Sequence, residues 1–239
     1  ESENMPFYYF PMSRAYLIGY LLVIIGSLIM IYAQIKVNSA YSKYSKIPNS
    51  RHMTGAMVAR EILDRNGLQD VRINAVGGKL SDHYNPRNRT INLSRGIYDG
   101  TSIAALAVAS HECGHAIQHL VGYKPLVIRN GILPLCNVGQ YLGWIAVIVG
   151  LIFGNSNIAW LGVILMSGIL LFQIITLPVE FDASSRALGI LKANYLTTDE
   201  YSGARSMLSA AAFTYVAAML STVLSLLRIV LIVAGNDRD

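Results

Sequence analysis

The chain has 239 residues, enough for one ordinary domain or two small ones, and 53% of them are apolar while only 14% are charged. A soluble domain carries roughly 25% charge, so the balance excludes a wholly water-exposed globule and points to a membrane protein. The formal net charge of +5 comes without interleaved aromatics; it argues against a nucleic-acid partner and fits the positive-inside rule instead.

Glu1 to Asn4 precede Met5, and no function is placed on them. The first apolar run, residues 15–35, is long enough to span a bilayer, and no Ala-x-Ala cleavage site follows it; it reads as a retained anchor. Tyr8, Tyr9, Tyr16 and Tyr32 near its ends suit interfacial anchoring. A polar block, residues 36–131, reads as the catalytic domain. Within it, residues 54–66 predict an amphipathic helix stopped by Gly67. Val71, Ile73 and Ala75 alternate with polar residues and predict a strand closed by Gly77-Gly78. His83 is expected in a loop, and Asn85-Pro86 marks a turn. Residues 90–93 predict a second strand. Residues 89–93 are read either as an edge strand that binds substrate by strand addition or as an ordinary sheet strand. Thr101 or Ser102 caps the next helix, residues 103–120, which ends at Gly122. Its apolar part is too short to span, and His111, Glu112, His115, Gln118 and His119 make it a helix buried in a small soluble domain.

Three further spans follow, at 132–153, 158–177 and 208–234, with a polar turn at 154–157 joining the first two into a hairpin. A polar segment, 178–207, precedes the last; Pro178 suits the first turn of a helix there, with Glu180 near its start. Arg228 lies near the outer end of the last span, where its side chain snorkels. Lys36, Lys43, Lys46, Arg51, Lys124 and Arg129 flank the first block and Arg186, Lys192 and Arg205 the second, while the hairpin turn has no cation. The positive-inside rule then puts both polar blocks in the cytoplasm and both termini outside. Cys113 and Cys136 are too few for a disulfide framework and read as small buried hydrophobes.

His111 and His115 are four positions apart, so a helix sets both rings on one face, where they can grip one Zn²⁺. Glu112 sits beside them and can take a proton from an attacking water without binding the metal. A catalytic zinc needs a third protein ligand. The position a metzincin would use is Val121, which excludes that class. His119 shares the helix but lies too far along it, and suits a supporting or surface role. Glu180 is the other candidate: two spans separate it from His115, so the chain returns to the same membrane face. The alternative for Glu180 is a solvated carboxylate at a helix start.

The run His111-Glu112-Cys113-Gly114-His115, the hairpin and Pro178-Val179-Glu180-Phe181 resemble the YugP-like neutral zinc metallopeptidases of bacterial membranes. The resemblance covers most of the chain, including residues 81–87 and 208–217. More distantly the chain is similar to the HtpX-like and CAAX prenyl membrane proteases. The resemblance implies His111, His115 and Glu180 as zinc ligands and Glu112 as general base. In the distant relatives an Asp follows the ligand Glu by four positions; here that position is Ser184, with Asp182 the nearest carboxylate, which predicts weaker support of the ligands. Tyr195, Tyr201, Arg205 and Tyr215 are candidate oxyanion donors.

The expected fold is mostly α: a four-span integral membrane protein with a small α+β zincin-like (gluzincin) catalytic domain at the cytoplasmic face of the bacterial cell membrane. The expected activity is that of a zinc-dependent metalloendopeptidase. Its partners would be membrane lipids, protein or peptide substrates, and a membrane protein or a second copy of the chain. The rival readings are an intramembrane-cleaving metalloprotease and a non-catalytic zinc-binding membrane scaffold, the latter opposed by the retained Glu112.

Overall fold

The computed structural model describes residues 14–236. Tyr8, Tyr9 and the stretch before Met5 lie outside them. In chain order the elements are α1 (Arg14–Tyr44), α2 (Gly55–Arg65), β1 (Arg72–Val76), β2 (His83–Asn85), β3 (Thr90–Ser94), α3 (Arg95–Tyr98), α4 (Ile103–Leu120), α5 (Lys124–Ile152), α6 (Ser156–Asn194) and α7 (Thr198–Asn236). The chain is mostly helical. Among the described residues four helices, α1, α5, α6 and α7, are long and apolar enough to cross a membrane, and α4 is not one of them.

Local chemistry fixes the ends of the shorter helices. Thr54 caps α2 by accepting from the Met57 N–H, and Ser102 rather than Thr101 caps α4 by accepting from Ala105. At the other end of α4, Gly122 takes φ +60°, and Tyr123 N–H returns to the Gln118 carbonyl at 2.9 Å. That is a left-handed stop which a Cβ would strain.

The spanning helices run past their apolar stretches. α6 is 39 residues long, about 58 Å at the rise of an α-helix, roughly twice the apolar thickness of a bilayer. The expected helix start at Pro178 is overturned: Pro178 lies inside α6, and Glu180 sits in the middle of a continuous helix. Proline here removes one N–H and leaves the Ile174 carbonyl without its usual donor. In a membrane helix such a break is tolerated where neighbouring groups and side chains compensate, and the Thr176 hydroxyl donates to the Phe172 carbonyl one turn below.

The sheet decides between the two readings of residues 89–93. Its order is β1-β3-β2, with β3 parallel to β1 and antiparallel to β2. β3, the strand suggested as a substrate-binding edge, is therefore the central strand and has no free edge. His83 belongs to β2, which pairs His83 with Asn92. Three residues are too few to show an alternation, so the sequence alone gives this edge strand the look of a loop.

α5 and α6 form the hairpin, and glycines let them touch. A Cβ on Gly143 would lie 2.8 Å from the Gly162 carbonyl oxygen, and one on Gly162 would lie 2.6 Å from that of Gly143. Small residues at such crossings allow the close packing that holds membrane helices together. The cap and the spans share one core. Val58, Ile62 and Leu63 of α2, Ile91 and Leu93 of β3 and Leu106 of α4 pack with Val37 and Tyr41 of α1, Leu191 of α6 and Met207 of α7. The membrane helices thus extend into the cap and fix its position.

Candidate metal centre

α4 presents His111 and His115 on one face, and α6 crosses that face. Gly114 sets the distance of approach: a Cβ there would lie 2.6 Å from the Ala183 carbonyl oxygen. Any side chain at 114 would push α6 away. The crossing brings Glu180 to the histidines. Its Oε2 lies 3.3 Å from His111 Nε2 and 3.5 Å from His115 Nε2. One donor atom from each of the three residues falls within 4.8 Å of the others, an arrangement that could hold a metal ion.

The donor chemistry fits zinc. Two imidazoles and a carboxylate form a ligand set of known catalytic zinc sites. Glu180 is 2% exposed, and its Oε2 is buried without a hydrogen-bond partner, because neither histidine approach has hydrogen-bond geometry. Buried acceptors are seldom left so, and a cation between the three residues would satisfy this one. Arg129 of α5 stands 3.6 Å from the other oxygen, Oε1.

Both rings are held from behind. His111 Nδ1 is 3.1 Å from the Ser184 hydroxyl, and His115 Nδ1 is 3.0 Å from the Gln118 side-chain oxygen. With Nδ1–H donating to these oxygens, each Nε2 keeps its lone pair toward the centre. Gln118 is fully buried and donates in turn to the Val179 carbonyl and to Asp182, each at 2.8 Å. Asp182 also accepts from Arg186. Ser184 therefore contacts His111 directly, and Asp182 acts on His115 through Gln118. Burial alone would hold the His115 imidazole below its usual pKa, but the nearby carboxylates of Glu180 and Glu112 outweigh it and raise the value.

Replacing Gln118 by Leu removes the acceptor for His115 and leaves Asp182 with one partner fewer. The expected result is zinc binding weaker by about 10–100-fold, with the helical content of the protein unchanged. Competition against a chelating dye measures it; wild-type affinity in Gln118→Leu would show that the ring needs no such anchor.

The remaining sequence candidates separate cleanly. Glu112 is buried, makes no contact with the three-residue cluster as a ligand, and lines both cavities that open at the centre. His119 is exposed, and its Nδ1 is bound to the Tyr84 hydroxyl at 2.7 Å. Of the four candidate donors, Tyr215 alone lines the two cavities beside Glu112 and Glu180. Tyr195 is buried between Arg51 and Arg65, Tyr201 packs under Lys192, and Arg205 borders a separate surface hollow. Arg228 lays its guanidinium over the Tyr20 ring at 5.3 Å. Cys113 and Cys136 are both free and buried; burial pushes the Cys113 thiol up and keeps it protonated.

Sequence reasoning missed Gln118, Arg129 and Asp82 as parts of the site. Gln118 was findable, being one turn beyond His115 on the same helical face. Asp82 lines both cavities and accepts from the backbone N–H and hydroxyl of Ser94; burial nonetheless raises its pKa above the usual range. Nothing local marks Asp82 or Arg129, because each is brought in by tertiary packing.

Residues 19–234 match the family described as "putative neutral zinc metallopeptidase". The curated proteins include "Putative membrane protease YugP" of Bacillus subtilis (strain 168), 47% identical over 209 residues, which cover 87% of this chain and 92% of that protein. No solved structure matches.

Proposed function

Because the chain belongs to the putative neutral zinc metallopeptidase family, we propose that it is a membrane-embedded zinc metalloendopeptidase of gluzincin type. The observation that carries this reading is the convergence of His111 Nε2, His115 Nε2 and the orphaned Glu180 Oε2. These three residues would hold the zinc. When bound, zinc acidifies the attacking water and polarises the scissile carbonyl.

The rest of the reaction falls to side chains. Glu112 lines the space in front of the three ligands and takes the proton from the attacking water. It then carries that proton to the leaving amine, which departs neutral. Tyr215 lines the same space beside Glu112 and Glu180, and its hydroxyl donates to the oxyanion that forms on the substrate carbonyl. Ser184 and Gln118 fix the two imidazoles, and Arg129 pairs with the other oxygen of Glu180. The buried cap helix α4 is outside the set of spanning helices, which favours cleavage at the membrane surface over cleavage within the bilayer. Assay of the purified protein against an unstructured polypeptide, after zinc removal and again after zinc is restored, tests the reading. Activity lost and regained supports it; full activity without the metal, or none with it, sinks it.

The centre is proposed to face the cytoplasm. Both chain segments that build it are rich in Lys and Arg close to the spans, and the α5–α6 turn has none. Cysteines placed at exposed Ser45 and Lys192 are expected to be shielded from an impermeant thiol reagent in intact cells, and one at Ser156 to be labelled. The buried native cysteines give little background. Labelling at Ser45 with protection at Ser156 would put the centre outside.

A further inference from the structure

The centre opens into two cavities of unlike character. The first, about 350 Å³, has apolar walls from Val37 of α1, Val108 of α4, Leu208 and Ala211 of α7, and Leu80 of the cap. The second, about 210 Å³, is walled by His83, Tyr84, Arg129 and Asn130. His111, Glu112, Glu180 and Tyr215 border both, so the two are arms of one cleft that meet where Glu112 would act.

The apolar arm lies where three spanning helices leave their apolar stretches. Val37 follows Lys36, Leu208 comes shortly after Arg205, and Ser184 stands between Asp182 and Arg186. Charged side chains at such positions reach for water while the residues beside them stay apolar. A polypeptide passing Glu112 must therefore place its two flanking stretches in different surroundings. Gln34, Asp82, Ser184 and Thr214 are the polar residues of the first arm outside the centre, and an acidic side chain entering it would exchange its hydration for the carboxylate of Asp82. A large hydrocarbon side chain entering it would bury its surface against Val37, Val108 and Leu208. The volume suits such a group, being within the range of about 300–1,000 Å³ found for ligand pockets, and Ala211 leaves the room at its floor.

Resting on the peptidase reading above, we propose that the substrate is a polypeptide with a large apolar side chain (Leu, Met or Phe) adjacent to the scissile bond, seated in this arm. The chain on the other side of the bond is polar and lies against Tyr84, Arg129 and Asn130. Discrimination by an apolar pocket is modest, and a factor of about 10–200 is the scale for it.

The experiment uses the full chain in lipid nanodiscs, loaded with zinc, and a mixture of soluble peptides that differ at one central position; mass spectrometry maps the cuts. Bonds beside Leu, Met or Phe are expected to be cut at least about tenfold faster than the same bonds beside Ala or Asp. Ala211→Phe, which fills the arm, should bring that ratio close to one with zinc content retained. Val108→Ala, which widens it, should shift preference from Leu toward Phe. Cleavage indifferent to the central residue, or a preference unaltered in both variants, overturns the assignment of the arm and leaves the peptidase reading standing. No cleavage of any peptide by the zinc-loaded protein overturns both.

Discussion

Glu112→Gln is expected to keep its zinc and to lose hydrolysis, with kcat/KM reduced by about 10³-fold or more. The amide has the shape of the carboxylate but cannot accept a proton from water. It occupies the same buried place between the two arms of the cleft, and Glu112 is outside the cluster of three donor atoms, so metal content should not change. A loss of about 10³ corresponds to about 4 kcal/mol of transition-state stabilisation, too much for a change in packing at one side chain to mimic without altering zinc content or thermal stability. Elemental analysis and turnover on the same preparation decide between base and bystander. Turnover within a fewfold of wild type would remove Glu112 from the mechanism.

The parts of this molecule that were legible in its sequence are those governed by short periods. The spacing of His111 and His115 places both on one face of a helix wherever that helix lies. The helix over residues 54–66, a cap at Thr101 or Ser102 and the stop at Gly122 follow from local rules and needed no tertiary knowledge. The spans were visible because an apolar run of that length has few alternative uses. What the sequence concealed depends on packing. Pro178 reads as a helix start by local rules, but those rules assume water around the backbone, and α6 passes through the site without a break. Edge and ordinary strand stay equally open for β3 in the sequence because β2 is too short to announce itself. Ser184 belongs to no local ligand pattern, and only the crossing of α4 and α6 shows its hydroxyl at His111 Nδ1.

The ligand on α6 is the most exacting test, since no local pattern requires Glu180 to meet the histidines. Glu180→Ala is expected to lose most of its zinc and all of its activity, an affinity loss well beyond the roughly 10–100-fold that supporting residues cost. Two neighbours are the natural rivals. Asp182 is two positions along the same helix, about 200° around it, and its carboxylate is taken by Gln118 and Arg186. His119 is exposed and bound to Tyr84. Their alanine variants should therefore keep substantial zinc, with Asp182→Ala weakened only through Gln118. The buried ion pair from Arg129 adds a second consequence of losing Glu180, an uncompensated cation beside the cleft, so the variant must first be shown to be folded. Glu180→Gln supplies the control: it keeps the volume and a neutral oxygen while removing the charge, and should bind zinc poorly with little change in packing. Zinc measured by elemental analysis at matched protein concentration settles the assignment. Full zinc in both Glu180 variants, with loss in His119→Ala or Asp182→Ala, would move the third ligand and undo the gluzincin reading.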